Sequence, residues 1–231
     1  MRADELMWAS LAVMPPGEEL GSALAALDLA TVPNDWIVDV LQAQHRQLAH
    51  EQARLLAAMV EVGRTTPASG SGVHRARQIH PWGAGEIAAA LTLTARAADR
   101  ELGFASTLVC GLPLVFAALL AGRIDRAKAW VFADHLDPDA CGLAPDQIEA
   151  VCASLVPAAS ALTTGQLAAR LLRALIAVDL DAARRRYDKA VRERAVASYL
   201  DRDGTVTVSA TGLARTKRRP RASAWNSWPP R

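Results

Sequence analysis

Aromatic side chains are scarce, 5% of 231 residues, although 51% of the chain is hydrophobic. Ala and Leu carry most of that fraction, which favours helices packed closely through small side chains over sheets of β-branched and aromatic residues. Cysteine is nearly absent too. Cys110, Cys141 and Cys152 are odd in number and form no CxxC spacing. They argue against a disulfide framework or a thiolate metal site, and for buried, reduced thiols in a cytoplasmic protein. Neither sign of charge dominates: a formal net charge of +2 is too mild to require a polyanionic partner for the chain as a whole. Long apolar runs are missing as well. Asp4 and Glu5 interrupt the basic region a signal peptide needs, and the apolar stretch 108–121 is broken by Pro113 and bounded by Arg123, so no membrane anchor is expected.

What is present is helical patterning over most of the chain, enough to bury a sizeable core. Residues 1–33 read as helical arms, the first stopped by Pro15, Pro16 and Gly17 and the second ending before Pro33. Residues 34–62 form the longest uninterrupted helical pattern, with Asn34 as N-cap and Gly63 as stop. At about 1.5 Å per residue that helix reaches roughly 40 Å. Leu41, Leu48, Leu55 and Val62 recur at heptad spacing, but Gln44 and Glu51 stand where a zipper would be apolar. A bundle helix is therefore expected, with self-association through this helix as the alternative. His45 and His50 read as a solvated pair on different faces, and the Gly, Ser, Pro and Thr of 64–83 as a mobile connection.

The chain is organised around residues 86–136. EIAAAL forms a short helix, Thr92 to Thr94 turn the chain, and Thr94 caps a second helix. Helix, tight turn and helix resemble a helix-turn-helix, in which the first turns of the second helix read base edges, and this nominates Arg96, Asp99 and Arg100. The competing reading is an ordinary helical hairpin, since the turn lacks glycine and Asp99 and Glu101 accompany the arginines. Beyond Pro113 a short apolar helix is closed by Gly122, Asp125 caps the next, and His135 near its end is placed to bond the last carbonyls. Pro145 suits a helical first turn, and Thr163 with Gln166 makes a capping box for a helix whose apolar face holds Leu167, Leu171, Leu175 and Val178.

A last helix, AARRRYDKAVRERAV, is the strongest electrostatic feature of the chain. Arg184, Arg185, Arg186, Lys189, Arg192 and Arg194 outnumber its acids, giving the kind of basic face that phosphate contact requires. A solvated face held by side-chain pairs competes with that reading. Gly204 ends the helical region and TVTVSA alternates as a single short β-strand would. The expected fold is thus all-α: a multi-helix bundle with one long helix and a short C-terminal β-strand.

The order of EIAAALTLT, LPLVFAALLAGRI, LTTGQLAARLLRALIAVDLDAARRR and RAVASYLDRDGTVTVSATG resembles the actinobacterial 13E12 repeat family, over roughly residues 34–213. The resemblance implies a helical domain of uncharacterised role, often followed by an HNH endonuclease module in proteins that look like mobile or repeated genetic elements. An HNH site needs a histidine to activate water and further side chains to hold a metal. No histidine follows His135, so the module is expected to be absent. Instead residues 214–231 switch to Arg, Pro and Trp, reading either as a frame-shifted or exchanged end or as a native basic tail that stacks nucleic acid on Trp225 and Trp228.

Three functions follow as expectations. The first is a DNA-associated targeting or scaffold module using Arg96, Arg100 and the Arg184 to Arg192 face, without catalysis. The second is a helical protein-interaction module with no nucleic-acid role. The third, an enzyme, lacks any pair of residues whose spacing demands catalysis, so no catalytic residue, metal, cofactor or small-molecule ligand is expected.

Overall fold

The computed structural model describes residues 3–65, 72–201 and 203–213. Among these are ten α-helices and one two-stranded antiparallel sheet. The chain is mostly helical. It divides into two compact units, Met1–Asp179 and Leu180–Arg231, with the division inside the 34–213 span expected as one domain.

In the first unit, α1 (Ala3–Val13) and α2 (Glu18–Ala25) pack on α3 (Ile37–Arg64). Polar side chains of α3 fix that arrangement. Arg46 Nη2 donates to the Leu11 carbonyl at 2.8 Å, one of the acceptors left over at the end of α1. Gln47 is buried, accepts from the Gly17 amide at 2.8 Å and donates to Glu51, so the start of α2 borrows an acceptor from α3. Trp8, Leu11, Leu20 and Val32 close over Val40 and Ala43 as a small separate core.

Further along, α3 turns a different face inward. Ala49, Ala53, Leu56 and Val60 belong to the main core, so one helix is a wall of two cores on two sides. The main core is completed by α4 (Gly83–Leu91), α5 (Ala95–Ser106), α6 (Pro113–Leu120), α7 (Arg126–Leu136), α8 (Pro145–Ala159) and α9 (Thr164–Val178). Ile87, Leu108, Val115, Leu119, Phe132, Leu136, Val151, Leu167 and Leu171 are its larger members. No single helix among the described residues is long and apolar enough to cross a membrane; α5 with its π-helical extension Thr107–Gly111 bends by 105° into α6.

Several boundaries depart from expectation. The helix α3 starts at Ile37 after Trp36, which gives no side-chain cap, rather than at Asn34. Gly63 does not stop it. A Cβ on Gly83 would lie 2.6 Å from Gly63 Cα, and one on Gly63 would lie 2.8 Å from Ile79 Cγ2, so these glycines let α4 begin against the end of α3. The connection expected to be mobile is tied down where it is described: the His80 amide donates to the Gly63 carbonyl at 2.8 Å, the Ala76 amide to Arg64 at 2.7 Å, and Arg75 pairs with Glu61 at 3.0 Å. Residues 66–71 of it lie outside the described set. His50 is not a solvated partner of His45, because its Nδ1 donates to the Leu120 carbonyl at 2.7 Å. That bond, with Gly122 at φ +66° seated on the Arg46 backbone, docks the end of α6 on α3. Helix α8 also runs through Pro157 to Ala159 instead of ending there.

Other expectations are met in detail. The Arg123 amide donates to Ala118 and the Gly122 amide to Leu119, the paired bonds of a Schellman end around a left-handed glycine. Asp125 accepts from the Lys128 amide at 2.8 Å, whereas His135, expected to bond the last carbonyls, instead donates its Nδ1–H one turn back to the Val131 carbonyl at 2.9 Å. Thr163 and Gln166 make the reciprocal capping box. Leu167, Leu171 and Leu175 are buried, whereas Val178, the last residue of the helix, is exposed.

The second unit holds α10 (Leu180–Arg192), β1 (Ala195–Leu200) and β2 (Val206–Thr211). The expected single strand has a partner: Ala195 and Val196, read as the end of the basic helix, continue to Leu200 as a strand that pairs with β2 in a hairpin from Ala195 opposite Thr211 to Leu200 opposite Val206. A lone strand leaves its amides and carbonyls unpaired, and the β-branched Val196 supports pairing once the arginine run ends. At the hairpin end, Asp203 accepts from Thr205 and the Thr205 hydroxyl in turn holds its carboxyl below the usual range. The register places Val196, Ser198, Leu200, Val206, Val208 and Ala210 on one face, and every one of them is exposed.

Candidate nucleic-acid interface

The helix-turn-helix segment is built by its caps. The helix α4 ends with Thr92 at φ 54°, a left-handed conformation that a β-branched residue adopts only under strain. The Leu93 amide donates to the Ala88 carbonyl at 2.9 Å to close it. Two residues on, the Thr94 hydroxyl accepts from the Ala97 amide at 3.3 Å and starts α5. Ala98 and Leu102 are buried, leaving Arg96 and Arg100 exposed one helical turn apart. With Thr94 and Ala97 they line one shallow depression.

Neighbouring side chains set the charge there. The Arg100 guanidinium lies 6.0 Å from the centre of the Trp130 ring, Trp130 meets Phe104 at 4.6 Å, and Arg126 lies 5.0 Å over the other ring. Two cations thus flank a pair of adjoining rings along this shelf. Glu101, which stands beside the arginines in the sequence, is taken up by Arg126 at 2.5 Å and does not oppose them as a free anion. Asp99 is exposed on the same helix, and Asp134, Asp137 and Asp139 line the depression on the far side of Arg100. The basic surface on α5 is therefore small, two guanidinium groups bounded by carboxylates.

The second cluster lies in the other unit. Within Leu180–Arg192, LDAARRRYDKAVR, five bases stand against Asp181 and Asp188. Positions 185, 189 and 192 fall along one line of this helix and 180, 187 and 191 along another nearly opposite. Arg184, Lys189 and Arg192 are exposed; Arg185 and Arg186 lie in the helix with side chains outside the described set. Lys189 approaches Glu193 at 3.9 Å, an exposed pair of small energetic weight. The Arg96–Arg100 pair and the α10 bases are thus each assembled on a single helix, in separate units.

Among the described residues no group of three or more His, Cys, Asp or Glu is placed to hold a metal ion. Cys141 and Cys152 are buried and Cys110 exposed. Burial, with a smaller contribution from the Glu149 charge, pushes the Cys152 thiol up to about 12, which removes it as a nucleophile at neutral pH. The Arg–aromatic shelf was not legible in the sequence, because Arg100, Phe104, Arg126 and Trp130 meet only through the packing of α5 on α7. Comparisons with family models, curated proteins and solved structures found no match to this chain.

Proposed function

We propose that the chain is a non-catalytic, DNA-associated helical module with a targeting or scaffold role. The observation that carries this reading is α10: a helix with an excess of three positive charges, its described bases in solvent. A polyanion gains from such a face by counterion release, and no fixed ligand geometry is needed. Arg96 and Arg100 on the second helix of the capped pair supply a smaller contact, positioned as the first turns of a reading helix are.

The test is fluorescence anisotropy of a duplex of about 25 base pairs titrated with the full chain over a range of salt. Affinity should fall steeply with salt, and Lys189→Ala and Arg192→Ala should each lower the salt slope by about one. Arg96→Ala with Arg100→Ala should change the slope by about two if that pair also touches phosphate. Absent binding, or binding indifferent to salt, overturns the proposal. The protein-interaction reading is favoured by a different feature, Leu41, Leu48 and Leu55 of α3, all of which are exposed.

A further inference from the structure

Two neighbouring depressions share Arg100, and their linings differ in charge. The first, at the start of α5, is lined by Thr94, Arg96, Ala97 and Arg100. The second is a cavity of about 390 Å³ whose walls include Arg100, Phe104, Trp130, Asp134, Asp137 and Asp139. Asp99 lines neither. Within the cavity the Arg100 guanidinium lies over the Trp130 ring at 6.0 Å, whereas flat groups in contact lie about 3.5 Å apart. Two such contacts need about 7 Å, so a flat ring fits between cation and indole once the exposed Arg100 side chain withdraws by about 1 Å. The buried Phe104 packs on the indole at 4.6 Å and holds that side of the gap still. On the acidic wall, Asp134 stands 3.7 Å from His135 Nδ1, and Asp137 accepts from the Asp139 amide at 3.1 Å. The Asp139 carboxylate is left as an acceptor with no partner among the described residues.

We propose that this site takes one unpaired guanine nucleotide, its base between Arg100 and Trp130, its donor edge on Asp139 and its phosphate on Arg96. Aromatic rings and guanidinium planes are the two surfaces on which unstacked bases lie. Guanine is selected by the carboxylate: its N1–H and N2–H2 donate side by side to the two oxygens of one carboxylate, whereas adenine and cytosine offer one amino group each. Arg96 lies one helical turn back from Arg100, about 5–6 Å away, where a phosphate joined to that base would fall. A bare amine would suit the carboxylates but not the neighbouring arginines. An anion alone meets the reverse objection, so the pair of depressions fits a ligand that carries donors at one end and negative charge at the other. A free nucleotide and a guanine exposed in a single strand share that chemistry. The inference is independent of duplex binding by α10, which contributes no residue to the site.

Isothermal titration of the full chain with the four common ribonucleoside 5′-monophosphates should show guanosine monophosphate bound about tenfold more tightly than the others. Trp130→Ala should weaken it by about tenfold, and Arg96→Ala should abolish its advantage over guanosine. Asp139→Asn, an exposed change that leaves the cores untouched, should exchange the preference for guanosine monophosphate for one for xanthosine monophosphate, whose O2 accepts where guanine donates. A five-nucleotide strand of thymidines with one central guanosine separates the sources: tighter binding of the strand assigns the site to single-stranded nucleic acid, tighter binding of the monophosphate to the free nucleotide. Equal affinity for all four monophosphates, or binding undiminished by Trp130→Ala, overturns the site. So does the absence of binding by either guanine ligand at about 10 mM. Guanine binding without salt-dependent duplex binding leaves this site standing and overturns the function proposed above; duplex binding alone does the opposite.

Discussion

At the scale of single residues, two positions that suit glycine for different reasons are filled in opposite ways. Gly83 sits where a Cβ would strike the Gly63 backbone at 2.6 Å, and neither backbone can yield without moving α4 off α3. Gly83→Ala should destabilise the chain by about 1–3 kcal/mol, read as a fall in denaturation midpoint with unchanged slope. Thr92, by contrast, holds a left-handed φ of 54° that suits glycine. Thr92→Gly should stabilise by about 0.5 kcal/mol once the greater freedom of glycine in the unfolded chain is counted. Both effects were hidden in the sequence, where Gly63 reads as a stop and the helix-turn-helix turn merely lacks glycine. Close approach of two backbones is a tertiary fact with no local pattern.

At the scale of elements, the caps were the most legible features, because their chemistry is contained within four residues. Thr94, Asp125, Pro145, Gly122 and the Thr163–Gln166 box all act where they were read. Thr163→Ala should cost about 1 kcal/mol, visible as a lower midpoint in thermal unfolding. Periodicity was less informative. The heptad of α3 is real but points outward, since a 28-residue helix shared between two cores must turn more than one face inward. The last helix ends sooner than its charge pattern suggests because Ala195 to Leu200 find pairing partners in β2, beyond the reach of the helix's own periodicity. The candidate contacts were legible as residue types, and Arg96 with Arg100 as a pair. The neutralisation of Glu101 by Arg126, 25 residues distant, was not.

At the scale of the whole molecule, stability is distributed unevenly. The first unit holds two cores, whereas none of the described side chains in the second is buried, and an isolated two-stranded hairpin is marginal in water. The two cores also differ greatly in size, and α3 contributes to both. Backbone amides exchange with solvent water through whichever opening frees them most readily. The N-terminal half of α3 is released when the small cluster of Trp8, Leu11 and Leu20 comes apart, whereas the half beyond Ala49 is released only when the main core does. Amide hydrogen exchange should therefore show a step in protection near Leu48, with faster exchange before it; uniform protection from end to end would mean that the clusters open together. A helix with no break in its hydrogen bonding would then keep two clocks, one at each end.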